Sequence, residues 1–195
     1  MLQIIDSRQA ERILERRAAR LGEAEETVRP ILEAVRKHGD KALLAYARRF
    51  DGLDRRGVGV PQRELDDAAA HLEPDFRAAV RLASRNIRAF AKLQLPQPRS
   101  APIAPGIKLG QIVRPLETVA AYIPSGRYPL PSTLLMTVIP AQVAGVKNVC
   151  VASPRAAPEI WGAASLLKVT RVFQMGGAHA IAAFAFGTRT VPRAE

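Results

Sequence analysis

From residue 107 onward, short apolar runs rich in β-branched residues alternate with helix-length segments, and this pattern constrains the fold most. Residues 107–113 and 118–123 read as strands. Ser132 and Thr133 can cap a helix through Leu135, Val138, Ala141 and Val143 that stops at Gly145. Residues 148–152 form a short apolar strand, 158–167 a helix and 171–175 another strand. Gly176 and Gly177 then open a helix over 178–186. Strands joined by helices cannot pair as tight hairpins, so each connection crosses over and lays the next strand parallel, with right-handed βαβ chirality. The prediction is a parallel sheet with helices on its faces.

Before this, the chain reads as helical from Asp6 to Gln97. Asp6 three residues before Gln9 resembles a capping box, and Ile13, Leu14 and Leu21 supply an apolar face. Val28, Ile31, Leu32 and Val35 mark a second helix that Gly39 stops. Asp40 is expected to cap a third, with Leu43, Leu44, Ala47 and Phe50 inward and Asp51-Gly52 closing it. A short strand is expected at 57–60 and a helix at 62–72. Pro74 suits the first turn of a long helix carrying Phe76, Val80, Leu82, Ile87, Phe90 and Leu93. Pro96, Pro98, Pro102 and Pro105 then read as a stiff connector. The expected organisation is a mainly helical region over 1–105 followed by a sheet domain over 106–195, together an α/β fold.

Composition removes several alternatives. The chain is 48% hydrophobic and 24% charged, which is globular rather than disordered. Pro140, Gly145 and Lys147 interrupt its greasiest stretch, 134–152, so no membrane span is expected. The first residues lack a basic segment followed by an apolar core, and Cys150 is the single cysteine. A cytoplasmic protein without disulfides is expected. The formal charge is +11, but its basic clusters sit among Glu and Asp, and only 5% of residues are aromatic. Nucleic-acid binding is therefore not expected.

In an open parallel sheet, ligands gather where strand carboxyl ends meet helix amino ends. Two loops have that position. Residues 122–133 hold Tyr122, Ser125, Gly126, Arg127, Tyr128 and three prolines. A tyrosine there can stack on a heterocycle, and Arg127 or helix N–H groups can meet phosphate. The alternative is a rigid turn whose tyrosines pack. The second loop is Gln174-Met175-Gly176-Gly177-Ala178-His179. Its glycines permit close backbone approach or positive φ, although the longer GxGxxG spacing is missing. His179, in the first helical turn, can hydrogen-bond a ligand or simply pack, and the positive helix end disfavours imidazolium. His38 and His71 lack partners at metal-ligand spacing. Asp66-Asp67 and Glu25-Glu26 read as solvated helix faces. Cys150 reads as an inert buried thiol and Trp161 as packing for its helix.

At these loops the sequence resembles the histidinol dehydrogenase family. The segments carrying the resemblance are YPLPSTLLMTVIPAQVAG and VTRVFQMGGAHAIAAFAFGT, with VRKHGDKALLAYARRFDG and NIRAFAKLQ earlier. The resemblance implies a zinc-containing, homodimeric oxidoreductase that converts L-histidinol to L-histidine in two NAD-linked steps of histidine biosynthesis. It places Tyr122 and His179 at NAD-contacting positions, the second more often Gln. Ser125 stands where a glycine is usual, a strain of about 1–2 kcal/mol if that position needs positive φ. Lys168 stands where a glycine usually ends a helix. By the same resemblance this chain is an amino-terminal portion, either a fragment or a truncated product. The zinc ligands, a proton-moving Glu-His pair and a further NAD-contacting Asn are then expected beyond Glu195, and the chain alone is expected to be inactive. The Rossmann-like sheet is expected to be incomplete, with an open apolar edge. A noncatalytic nucleotide-binding or regulatory module is the second reading.

Overall fold

The computed structural model describes the backbone of residues 10–195 except Arg127 and Ala156, and side chains from Gly22 onward with the same exceptions. The expected capping box at Asp6 and the Ile13, Leu14 and Leu21 face lie outside the described residues.

Three parallel strands form the centre: β3 (Thr118–Tyr122), β4 (Asn148–Ser153) and β5 (Arg171–Gln174), in the order β3-β4-β5. Thr118 pairs with Asn148, and Cys150 with Arg171. Successive side chains point to opposite faces. Ala121, Val151 and Val172 therefore enter one core, which holds α5 (Pro131–Val143) and α6 (Pro158–Leu166). Cys150, Ala152 and Phe173 enter the other, beneath α7 (Gly177–Phe186). Burial on both faces explains why these strands read as continuous apolar runs rather than alternating ones.

The earlier helices complete both layers. α1 (Ala10–His38) and α2 (Asp40–Asp51) contribute Val35, Leu43 and Ala47 to the α7 side. α3 (Gln62–Ala70) and α4 (Pro74–Gln94) contribute Leu65 and Val80 to the α5–α6 side. Leu43, Leu65, Leu134 and Ile139 are fully buried, each contributing about 1.5–3 kcal/mol. The layers are thus a helical amino-terminal region and a Rossmann-like sheet with helices on both faces.

Five local expectations change. The two helices expected before Gly39 are one, running through Gly22 and Pro30. Pro30 is exposed, so carbonyls freed by its missing N–H can be met by water. Asp40 does not cap α2, because Gly39 holds that position without a side-chain hydrogen bond. Its carboxylate instead accepts from the Thr190 hydroxyl at 2.7 Å. Ser132 and Thr133 do not cap α5, whose N-cap is Leu130 with Pro131 as the first helical residue. The proline-rich connector is partly a strand: β1 (Arg99–Ala104) pairs antiparallel with β2 (Ile107–Gln111), and this hairpin is exposed throughout. The 107–113 strand therefore stays outside the parallel sheet.

The fifth change concerns the sheet edges. Gly59 bridges Phe173 antiparallel. Val60 N–H donates to Val172 at 2.8 Å, and Gln174 N–H to Val58 at 2.7 Å. The 57–60 segment expected as a strand thus covers the β5 edge. On β3, Glu195 N–H donates to the Thr118 carbonyl at 3.0 Å.

Candidate functional site

The three parallel strands end on one side, and the turns that follow them converge there. A Cβ placed on Gly176 would lie 2.5 Å from Pro154 Cβ, so the turn after β5 is pressed against the turn after β4. Gly177, the first residue of α7, has φ of 55°, the left-handed region that glycine enters without steric cost. Its N–H donates to the Tyr122 hydroxyl oxygen at 3.3 Å, which ties in the end of β3.

His179 lies in the first turn of α7 and is 2% exposed. Its Nε2 stands 2.7 Å from Asp51 Oδ2, and Gly176 N–H donates to the same oxygen at 2.9 Å. Tyr46 and Phe50 of α2 flank the imidazole, with ring centroids 6.0 and 6.1 Å away. The imidazole edge carrying Nδ1 and Cε1 lies 3.8 Å from where a Gly177 Cβ would stand. Tyr122 and His179, 57 positions apart by number, therefore meet at Gly177. Tyr46 also lines a groove of ≈ 460 Å³ with His38, Lys41, Arg49 and three alanines. A larger cavity of ≈ 630 Å³, lined by Arg81, Arg88, Gln142 and Lys168 among others, shares no residue with the glycine turn.

The other candidates separate from this cluster. Tyr128 is 73% exposed, and Arg127 lies outside the described residues. Lys168, with φ of 58°, is the one non-glycine residue of positive φ among the described residues. Ser125 therefore does not incur the strain considered for it, whereas Lys168 does. His71 is exposed beside Asp67. Cys150 is buried, and that burial pushes its thiol pKa up. Trp161 packs into the α5–α6 core. Among the described residues, no three His, Cys, Asp or Glu side chains gather as metal ligands.

Asp51 is the residue that sequence reading missed. Its local signal, Asp-Gly after an apolar helix, is that of a helix stop, and Gly52 does adopt φ of 65° there. Its partners lie 125 and 128 residues later, beyond the reach of any short motif.

The fold and the turn together define an α/β protein with a Rossmann-like sheet whose strand ends close on a glycine turn. A sequence profile for histidinol dehydrogenase matches residues 14–195. The histidinol dehydrogenase of Syntrophotalea carbinolica is 44% identical over 177 residues, covering 88% of this chain and 41% of that protein. That of Methanosarcina mazei is 40% identical over 185 residues, covering 92% and 43%. The crystal structure of histidinol dehydrogenase from Elizabethkingia anophelis superposes with a TM-score of 0.81 at 29% identity, over all of this chain and 42% of that one. The chain belongs to the histidinol dehydrogenase family. It corresponds to the amino-terminal portion and spans less than half the length of these relatives.

Proposed function

We propose that this chain is the NAD-binding portion of a histidinol dehydrogenase, an oxidoreductase that converts L-histidinol to L-histidine in two NAD-linked steps and works as a homodimer. The observation that carries this reading is the convergence of Tyr122, Gly176, Gly177 and His179 where three parallel strands end. The turn suits a dinucleotide on three counts. Gly177 presents no side chain, and a Cβ there would meet no protein atom but the imidazole. The positive amino end of α7 is already met by the Asp51 carboxylate on Gly176 N–H, which leaves the turn to neutral parts of the dinucleotide. Tyr122 and His179 supply directional hydrogen bonding beside it.

When bound, NAD supplies the hydride acceptor. This chain's residues position it: Tyr122 braces Gly177, and His179 projects from the first turn of α7. Zinc belongs to the family expectation, and the described residues offer no ligand cluster for it. Oxidising an alcohol also requires a group that takes up its proton. By the resemblance, that pair lies in the portion of the relatives that this chain does not cover. The 195-residue chain is therefore expected to bind NAD without oxidising histidinol.

Titration calorimetry tests the reading. A dissociation constant below about 1 mM, equivalent to about 4 kcal/mol, is expected for NAD. Tyr122→Ala should weaken it about tenfold, the value of one lost hydrogen bond and some packing. Heat indistinguishable from dilution at millimolar NAD would remove the proposal.

A further inference from the structure

Asp51 is the end of a helix that belongs to the other half of the molecule, yet its carboxylate sits inside the glycine turn, with its side chain 6% exposed. One oxygen accepts from the Gly176 backbone and lies 2.7 Å from His179 Nε2. An ionised carboxylate has no proton to give, so the hydrogen between Asp51 and His179 resides on Nε2. Nδ1 is the remaining ring nitrogen, on the edge nearest Gly177. It has no hydrogen bond to any described residue. Turning the ring over would put Cε1 in place of Nε2 and lose the Asp51 bond. That bond therefore fixes which edge Nδ1 occupies, with Tyr46 and Phe50 packed beside the ring.

We infer that Asp51 is a positioning residue which fixes His179 in its Nε2–H form and turns Nδ1 into a hydrogen-bond acceptor for a ligand hydroxyl. This inference rests on the proposed dinucleotide site and specifies what that site recognises. Tyr122 completes the pattern. Its oxygen already accepts from Gly177 N–H, so its own proton is free to be donated. An acceptor and a donor beside one glycine match a hydroxyl group, which both gives and takes a hydrogen bond. In a dinucleotide such hydroxyls belong to the riboses. A carboxamide can reproduce the arrangement at position 179, giving its N–H to Asp51 and offering its carbonyl to the ligand.

Two measurements on the 195-residue chain separate this inference from the reading beneath it. The first uses no ligand. Nitrogen-15 NMR at about pH 8, where an ordinary imidazole is neutral, should show one His179 tautomer with a slowly exchanging proton on Nε2. That proton signal should persist in Asp51→Asn and vanish in Asp51→Ala. A proton on Nδ1 in the unmodified chain would overturn the inference, and so would an unchanged signal in a folded Asp51→Ala. The wild-type spectrum decides the matter even if the alanine variant does not fold.

The second measurement is calorimetric titration with NAD. His179→Leu should weaken binding about tenfold, while His179→Gln should stay within about threefold of wild type. The analogue carrying hypoxanthine instead of adenine lacks the exocyclic amine and should bind as NAD does. Loss of binding by that analogue would overturn the assignment to a hydroxyl. Absence of NAD binding by wild type, alongside the expected tautomer, would remove the cofactor reading and leave the role of Asp51 toward His179 intact.

Discussion

Lys168 holds a backbone conformation that a side chain resists. It follows α6 with φ of 58°, and its N–H closes the helix end on the Ser165 carbonyl at 2.8 Å. Glycine would keep that geometry without the Cβ clash. Lys168→Gly is expected to stabilise the chain by about 1 kcal/mol in urea unfolding, and an unchanged or lower midpoint would contradict the strain. Gly176 presents the reverse case. Its missing Cβ makes room for Pro154, so Gly176→Ala should destabilise by about 1–3 kcal/mol through overpacking. Because the displaced turn is the one holding His179, NAD affinity should fall with it. The pair of glycines was visible in the sequence as a break between strand and helix. Which of them serves packing and which serves φ was not, because that depends on a proline from the neighbouring turn.

Among the elements, the hairpin of β1 and β2 contrasts with the sheet it precedes. Every residue of both strands is exposed, and a two-stranded ribbon alone is marginally stable. Amide exchange is therefore expected to be fastest at 99–111 and slowest in β4, with equal protection in the two counting against the contrast. The same contrast decided what could be read in advance. β3, β4, β5 and their helices were legible because burial on both faces imposes apolar runs. Of the hairpin, β2 was read in advance within the 107–113 strand, whereas β1, solvated and holding Pro102, imposes no pattern, and the pairing of the two was hidden. The union of two expected helices into α1 was equally hidden, since Gly22 and Pro30, both exposed, carry stop signals that this helix overrides.

Asp40 shows how α2 is tied to the segment after α7. Burial raises its carboxyl pKa, but the hydroxyls of Thr188 and Thr190, the Thr190 backbone and Arg189 outweigh this and hold it below the ordinary carboxylate value. A lowered folded pKa adds stability that is complete above the unfolded value, about 3.9. That stability drains away as pH falls through the folded value. Asp40→Asn should thus cost about 1 kcal/mol at neutral pH. It should then show a shallower loss than wild type on acidification below about pH 4, read from urea midpoints at successive pH values.

At the scale of the molecule, neither half owns its interior. Leu65 and Val80 sit in one core with Val151 and Trp161, and Leu43 and Ala47 in the other with Phe173 and Phe184. A 106–195 segment made alone would keep α5, α6 and α7 on the sheet but bare the surfaces of those helices that α1 to α4 cover, and is expected to lack a cooperative melt. The 195-residue chain itself leaves Leu82, Phe90, Leu93, Ile103, Leu109, Ile112 and Leu116 at least half exposed. It is expected to self-associate into soluble oligomers, and sedimentation as a monodisperse monomer would contradict this.

The bond from Asp51 to Gly176 carries a kinetic meaning as well. Its ends are separated by 125 residues, so the glycine turn cannot be completed by local folding of the strands around it. Contacts of such long range are entropically late arrivals. A ribosome must release nearly the whole of this chain before the turn takes its final form, and a lesion near residue 50 can disturb the turn from far away.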